Sequence, residues 1–102
     1  MKMQAVRRGE SLYIYLAGEL DECTVSRTRE ETDALIDGGT GCRIAVFNLA
    51  GVRFMDSTGI GFLMGRYKRL KTYGMEMVIE DPNPDADKIL SLSGIYALIP
   101  RV

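Results

Sequence analysis

The sequence predicts an α/β fold, a mixed β-sheet of four to five strands flanked by helices, and three observations point to it. Short runs rich in β-formers alternate with stretches whose apolar residues recur at helical spacing. The first two runs are joined only by Gly9-Glu10, a tight turn, so they form an antiparallel hairpin. Two later runs, "CRIAVFNLAG" and "MEMVIE", are apolar almost throughout, as parallel central strands are. Parallel strands joined by helices need right-handed crossovers, and the hairpin makes the sheet mixed.

The elements follow in the order β-β-α-β-α-β-α-β. The hairpin pairs "MQAVRR" with "SLYIYLAG". In the second of these, Leu12, Ile14 and Leu16 alternate with Tyr13, Tyr15 and Ala17, so the strand is expected to be covered on both faces. Val25, Thr28, Thr32, Leu35 and Ile36 mark a helix with Thr24 as its N-cap and Gly38-Gly39 as its stop. After the strand "CRIAVFNLAG", a second helix starts at Ser57, with Ile60, Leu63, Met64, Tyr67 and Leu70 on its apolar face. Arg66, Lys68, Arg69 and Lys71 populate the remainder, read as a solvated face, and Gly74 ends the helix in a left-handed conformation. The strand "MEMVIE" precedes a third helix with Asn83 as N-cap, Pro84 at its first position and Gly94 as its stop. The final "IYALIPRV" is expected to be a short edge strand, where Pro100 is tolerated.

A chain of 102 residues that is 46 % hydrophobic is sized for one domain, residues 1–102, with a core that needs no staples. Thirteen basic against 14 acidic residues leave a net charge of −1, which argues against a nucleic-acid binder. No stretch approaches the roughly 20 apolar residues of a membrane span, and "MKMQAVRRGE" lacks a signal-peptide core. A cytoplasmic protein is expected, without membrane or nucleic-acid partners. Cys23 and Cys42 are too few for a disulfide framework and are not spaced as a metal knuckle. With no histidine in the chain, every Ser–His and Cys–His mechanism is excluded, and so is the commonest zinc ligand. Neither a metal nor a cofactor is expected.

In an α/β sheet the sites lie outside the carboxyl ends of the strands. The loops expected there are residues 18–24, 49–57 and 81–83, and the second holds "FMDSTGIG". Ser57 could be a nucleophile, a helix cap or a switch. Its cap role is natural, since serine is among the best N-caps. A nucleophile needs a base within hydrogen-bond reach, and Lys68 lies about 16 Å along the same helix. Gly59, Gly61 and Gly65, with Glu80 further on, imitate a dinucleotide fingerprint. The third glycine is one position late, however, and the glycines fall inside a helix rather than in the turn before it. Glycines in a helix cost up to about 1 kcal/mol each, so a close backbone approach is expected to compensate, either to the sheet or to a partner beside Ser57. A phosphate on Ser57 would be stabilised by the helix dipole, while a partner packed there would meet a dianion next to Asp56.

At "FMDSTGIGFLMGRYKRLKTYGMEMVI" the chain resembles the anti-sigma-F factor antagonists, the sporulation branch of the STAS-domain family. "GELD" at residues 18–21 and "SLSGIYALI" at residues 91–99 match the other two landmarks, so the likeness covers almost the whole chain as one STAS-like domain. It implies a regulator without catalytic activity. Unmodified, such a protein binds the anti-sigma factor, a serine protein kinase, and so frees the sporulation sigma factor. The kinase phosphorylates the serine of "MDS" using ATP, and a PP2C-type serine phosphatase reverses this. By motif the phosphoacceptor is Ser57, with Asp56, Thr58, Gly59 and Gly61 around it and Asp21 of "GELD" on the docking surface; read from its residue type alone, Asp21 is a helix cap. Thr58 replaces a serine common at that position and is a second candidate hydroxyl. Relatives often continue into a final helix, from which no contact is carried over. Two other readings remain: a STAS regulator of stress response or phosphatase control, and a small nucleotide-binding domain.

Overall fold

The computed structural model describes residues 1–39 and 41–102. Its elements are β1 (Lys2–Arg8), β2 (Ser11–Leu20), α1 (Val25–Gly38), β3 (Ile44–Met55), α2 (Ser57–Thr72), β4 (Glu76–Glu80), α3 (Pro84–Ser93) and a 3₁₀ turn (Ile95–Ala97). The sheet has the order β1-β2-β3-β4. β1 runs antiparallel to β2, and β2, β3 and β4 are parallel to one another. Each of the two parallel steps adds a strand on the same side through a right-handed crossover, which lays α1 and α2 on one face, and Leu90 brings α3 into the same core. α1 packs on α2 and α2 touches α3, in agreement.

The core lies between that face and the helices. Leu12, Ile14 and Leu16 of β2, Ala45, Phe47 and Leu49 of β3, and Met77 and Ile79 of β4 point into it. Ile36 of α1, Phe62, Leu63 and Leu70 of α2, and Leu90 of α3 meet them. The period-2 alternation within each strand thus survives, but only one of its two faces is covered. The expectation that β2 is covered on both sides is wrong: Tyr13 and Tyr15 are half-buried on a face that carries no helix. Tyrosine made that face look apolar in sequence, yet its hydroxyl tolerates water.

Two further expectations fail for local reasons. "IYALIPRV" does not form an edge strand. Gly94, at φ +79°, turns the chain into the 3₁₀ segment, and Ile95 and Ile99 plug the core. The chain then meets β4 in a single parallel bridge with Arg101 opposite Ile79, the Ile79 N–H donating to the Pro100 carbonyl and the Val102 N–H to the Ile79 carbonyl, each at 2.9 Å. Arg66 is not on a solvated face either. The buried stripe of α2 is Gly59, Phe62, Leu63, Arg66 and Leu70, rotated from the expected one, with Ile60, Met64 and Tyr67 half-buried at its margin. Arg66 lies under α1, its guanidinium over the Phe62 ring and its Nε 2.7 Å from Asp33 Oδ1. Burial pulls its pKa down and Asp33 opposes that shift. Arg69 reaches both Asp33 and Asp37, so the two helices are joined by a charge network.

Candidate functional site

β2 and β3 end side by side. Leu20 pairs with Met55, and the next residue of each strand is an aspartate, Asp21 and Asp56. Neighbouring strands are about 4.8 Å apart, so the two carboxylates leave the sheet close together. Both are spent on turning the chain. Asp21 Oδ1 accepts from the backbone N–H of Cys23 at 2.9 Å and of Thr24 at 3.2 Å. Asp56 Oδ1 accepts from Thr58 N–H at 2.9 Å. Thr24, the expected N-cap of α1, makes no capping bond with its side chain. Its hydroxyl instead donates to the Glu19 carbonyl at 2.8 Å and accepts from Asp21 N–H. The "GELD" loop is fixed by these bonds.

Ser57 is not the N-cap of α2. Asp56, in an extended conformation, takes that place, and Ser57 is the first helical residue. The aspartate sits where the strand turns, so its carboxylate reaches the second helical N–H. This frees the serine. Ser57 is exposed, and among the described residues no hydrogen bond engages its hydroxyl. Thr58 beside it is half-buried.

Gly59 and Gly61 do different things. A Cβ on Gly59 would stand 2.5 Å from Met55 Cγ and 3.3 Å from Leu20 Cδ2, so the helix start lies directly on the ends of β2 and β3. A Cβ on Gly61, or on Gly65, would meet nothing within 4 Å. The expected close approach to the sheet thus holds for Gly59 alone. Gly61 is exposed, four positions from Ser57, and therefore on the same side of the helix. The surface beside the serine is bare backbone.

The end of β3 also holds residues the sequence reading did not single out. The loop expected over residues 49–57 is mostly strand, since β3 runs to Met55. A register shift pairs Gly18 with Val52 but Glu19 with Phe54, and leaves Arg53 unpaired between them. Alternation breaks there, so Phe54 is 51 % exposed three residues before Ser57. It borders a cavity of ≈ 220 Å³ that reaches Asn83 and Ile89 of the α3 region. Asn83 caps α3 by accepting from Ala86 N–H at 2.8 Å, and its amide donates to the Val52 carbonyl. The signal in sequence was "VRFM", where two large residues stand between two buried ones.

Residues that other chemistries would need are not brought together. Lys68 is exposed far along α2. Glu80, the acid of the imitation fingerprint, accepts from Asn48 Nδ2 at 2.8 Å on the sheet, away from the glycines. Among the described residues no group of three or more His, Cys, Asp or Glu could hold a metal ion. The strongly shifted groups lie elsewhere. Asp37 is pulled down to about 2 by hydrogen bonds from Arg69 and Tyr73. Tyr96 is pushed up by burial and by its bond to Asp87.

The STAS-domain family model matches residues 2–102. An anti-sigma F factor antagonist of Paenibacillus polymyxa is 37 % identical over 89 residues, 87 % of this chain and 75 % of that protein. The anti-sigma-B factor antagonist of Bacillus subtilis (strain 168) is 28 % identical over 92 % of this chain and 84 % of its own. The solved structure of the anti-sigma factor antagonist SpoIIAA in its unphosphorylated form superposes with a TM-score of 0.79 at 26 % identity, covering 99 % of this chain and 88 % of that one. The phosphorylated Bacillus SpoIIAA gives 0.71 at the same identity, over 99 % and 91 % of the two chains. The four-stranded mixed sheet, the helices on it and these matches place the chain in the STAS-domain family.

Proposed function

We propose that this chain is an anti-sigma factor antagonist of the sigma-F type, switched by phosphorylation of Ser57. One observation carries the reading: Ser57 is exposed and unbonded at the first position of α2, beside the bare surface of Gly61 and next to the Asp21 loop. Unmodified, the protein binds its anti-sigma factor, a serine protein kinase, through Asp21, Asp56, Ser57, Thr58, Gly59 and Gly61, and the sigma factor is released. It acts by occupying a partner and not by catalysis, in the cytoplasm and with no cofactor of its own. The higher identity to the sigma-F relative favours that branch over the sigma-B one.

The switch follows from charge. A phosphoserine adds about −1.5 to −2 charges at the positive end of the α2 dipole, so the fold tolerates it. A bound partner would instead have to bury that dianion beside two carboxylates, Asp21 and Asp56, and it dissociates. A PP2C-type serine phosphatase resets the exposed serine. Thr58 is half-buried, which favours Ser57 as acceptor.

The test is incubation with ATP and a sporulation anti-sigma kinase, followed by mass-spectrometric location of the phosphate in wild type and Ser57→Ala. Phosphate in wild type alone is the expected result. Phosphate on Thr58 in both proteins would move the site by one residue. An unmodified wild type would point to another STAS branch.

A further inference from the structure

The sheet face turned away from the helices is ordered by register into three rows. Arg8, Ser11, Ile44 and Glu76 form the first, from β1 across to β4. Val6, Tyr13, Val46 and Val78 form the second, and Gln4, Tyr15, Asn48 and Glu80 the third. The middle row is apolar apart from one phenolic hydroxyl. Val46 and Val78 lie outside the helix-covered cluster but are only 6 % and 9 % exposed, screened by their neighbours on the sheet, so the open apolar surface of the row is that of Tyr13 and of Val6, which is 39 % exposed. Tyr13 and Tyr15 stack with ring centroids 6.3 Å apart, and the Arg8 guanidinium rests over the Tyr13 ring. Basic charge therefore sits on the β1 edge of this face and acidic charge on the β4 edge. Neither Arg8 nor Glu76 has an ion pair among the described residues.

We propose that a second copy of this chain covers this face, related by a two-fold axis parallel to the strands. Rotation about that axis lays β1 of one copy over β4 of the other at unchanged height. Arg8 then meets the second copy's Glu76, Val6 meets Val78, Tyr13 meets Val46, and Gln4 meets Glu80. The outer positions of the rows match their own reversal, charge to opposite charge in the first, apolar to apolar in the second and polar to polar in the third, which is what an isologous interface requires. A two-fold axis across the strands would instead bring Glu76 against Glu80, and charge rejects it. Four strands at about 4.8 Å and three rows at about 6.8 Å give a face of roughly 400 Å² in projection. With side-chain relief the pair buries about 1,000 Å², at the lower bound for a specific interface, so the dimer is weak and concentration-dependent. Because the axis runs along the strands, both Ser57 sites stay open at the same end of the dimer.

Sedimentation velocity on the full chain, from about 10 µM to about 1 mM, reads this directly. Wild type is expected to shift from monomer to dimer across the range. Arg8→Glu and Glu76→Arg, both on exposed residues, should each weaken association about tenfold or more, and the double swap should restore it. Far-UV circular dichroism and melting of each variant confirm that the fold persists. A wild type that stays monomeric at the highest concentration overturns the proposal. So does a dimer that ignores the single reversals, or a double swap that fails to restore it. A monomer whose Arg8→Glu variant loses the anti-sigma factor would assign the face to that partner instead.

Discussion

Replacing Gly59 by alanine should destabilise the protein, although alanine is the better helix former. Helix propensity alone would give a gain of about 1 kcal/mol. Against it, the new methyl would lie 2.5 Å from Met55 Cγ and 3.2 Å from its Sδ, where ordinary contact is 3.4 Å or more. Met55 is 3 % exposed and its Cγ is near the backbone, so the side chain cannot swing clear. Overpacking of this kind costs about 1–3 kcal/mol. The two contributions leave a net loss of up to about 2 kcal/mol, or up to about 8–16 °C in Tm for a domain of this size. Gly61→Ala and Gly65→Ala meet no atoms, so each should raise stability by about 0.5–1 kcal/mol. Urea and thermal unfolding of the three variants measure the contrast. A Gly59→Ala protein as stable as Gly61→Ala would refute the claim that α2 rests on the strand ends through this glycine.

Other substitutions probe the helix network and the site. Asp33→Ala leaves the buried Arg66 guanidinium without its carboxylate and should cost about 3–5 kcal/mol by chemical denaturation; Arg66→Met, which removes the charge and keeps the bulk, should cost clearly less. Asp37 has its pKa lowered from 3.8 to about 2, so its stabilising effect is present above pH 4 and lost as pH falls toward 2. Urea midpoints across that range should fall more steeply in wild type than in Asp37→Asn, and parallel curves would contradict the assignment. Asp56→Ala removes the α2 cap and should cost about 1 kcal/mol of stability, while Asp56→Ser should recover most of it. Gly61→Leu should hold or raise the melting temperature, as Gly61→Ala does, yet weaken anti-sigma factor binding at least tenfold, because it fills the bare surface beside Ser57.

Much of this was legible in the chain. Asn83, Pro84, Gly94 and Gly74 act where turn and cap chemistry put them, since each role depends on the residue's own backbone preferences. The three parallel strands were visible as apolar runs for the same local reason. What escaped depends on tertiary placement. Arg66 carries a charge that no pattern would bury, and only α1 with Asp33 makes that position habitable. Tyr13 and Tyr15 look like core residues until the topology puts every helix on the other face. The cap moved from Ser57 to Asp56 because the register of β3 decides where the chain turns, and register is a long-range property. The motif pointed to the start of α2, but Phe54 was passed over because its exposure depends on a bulge opposite Gly18 and Glu19.

The measurement that bears most directly on the central claim is calorimetric titration of the anti-sigma factor with unmodified protein and with protein phosphorylated stoichiometrically at Ser57. A saturable complex with the unmodified form and a loss of at least 100-fold in affinity on phosphorylation, about 2.7 kcal/mol, is expected. Equal affinities for the two forms would contradict the switch, whatever the fold and the family.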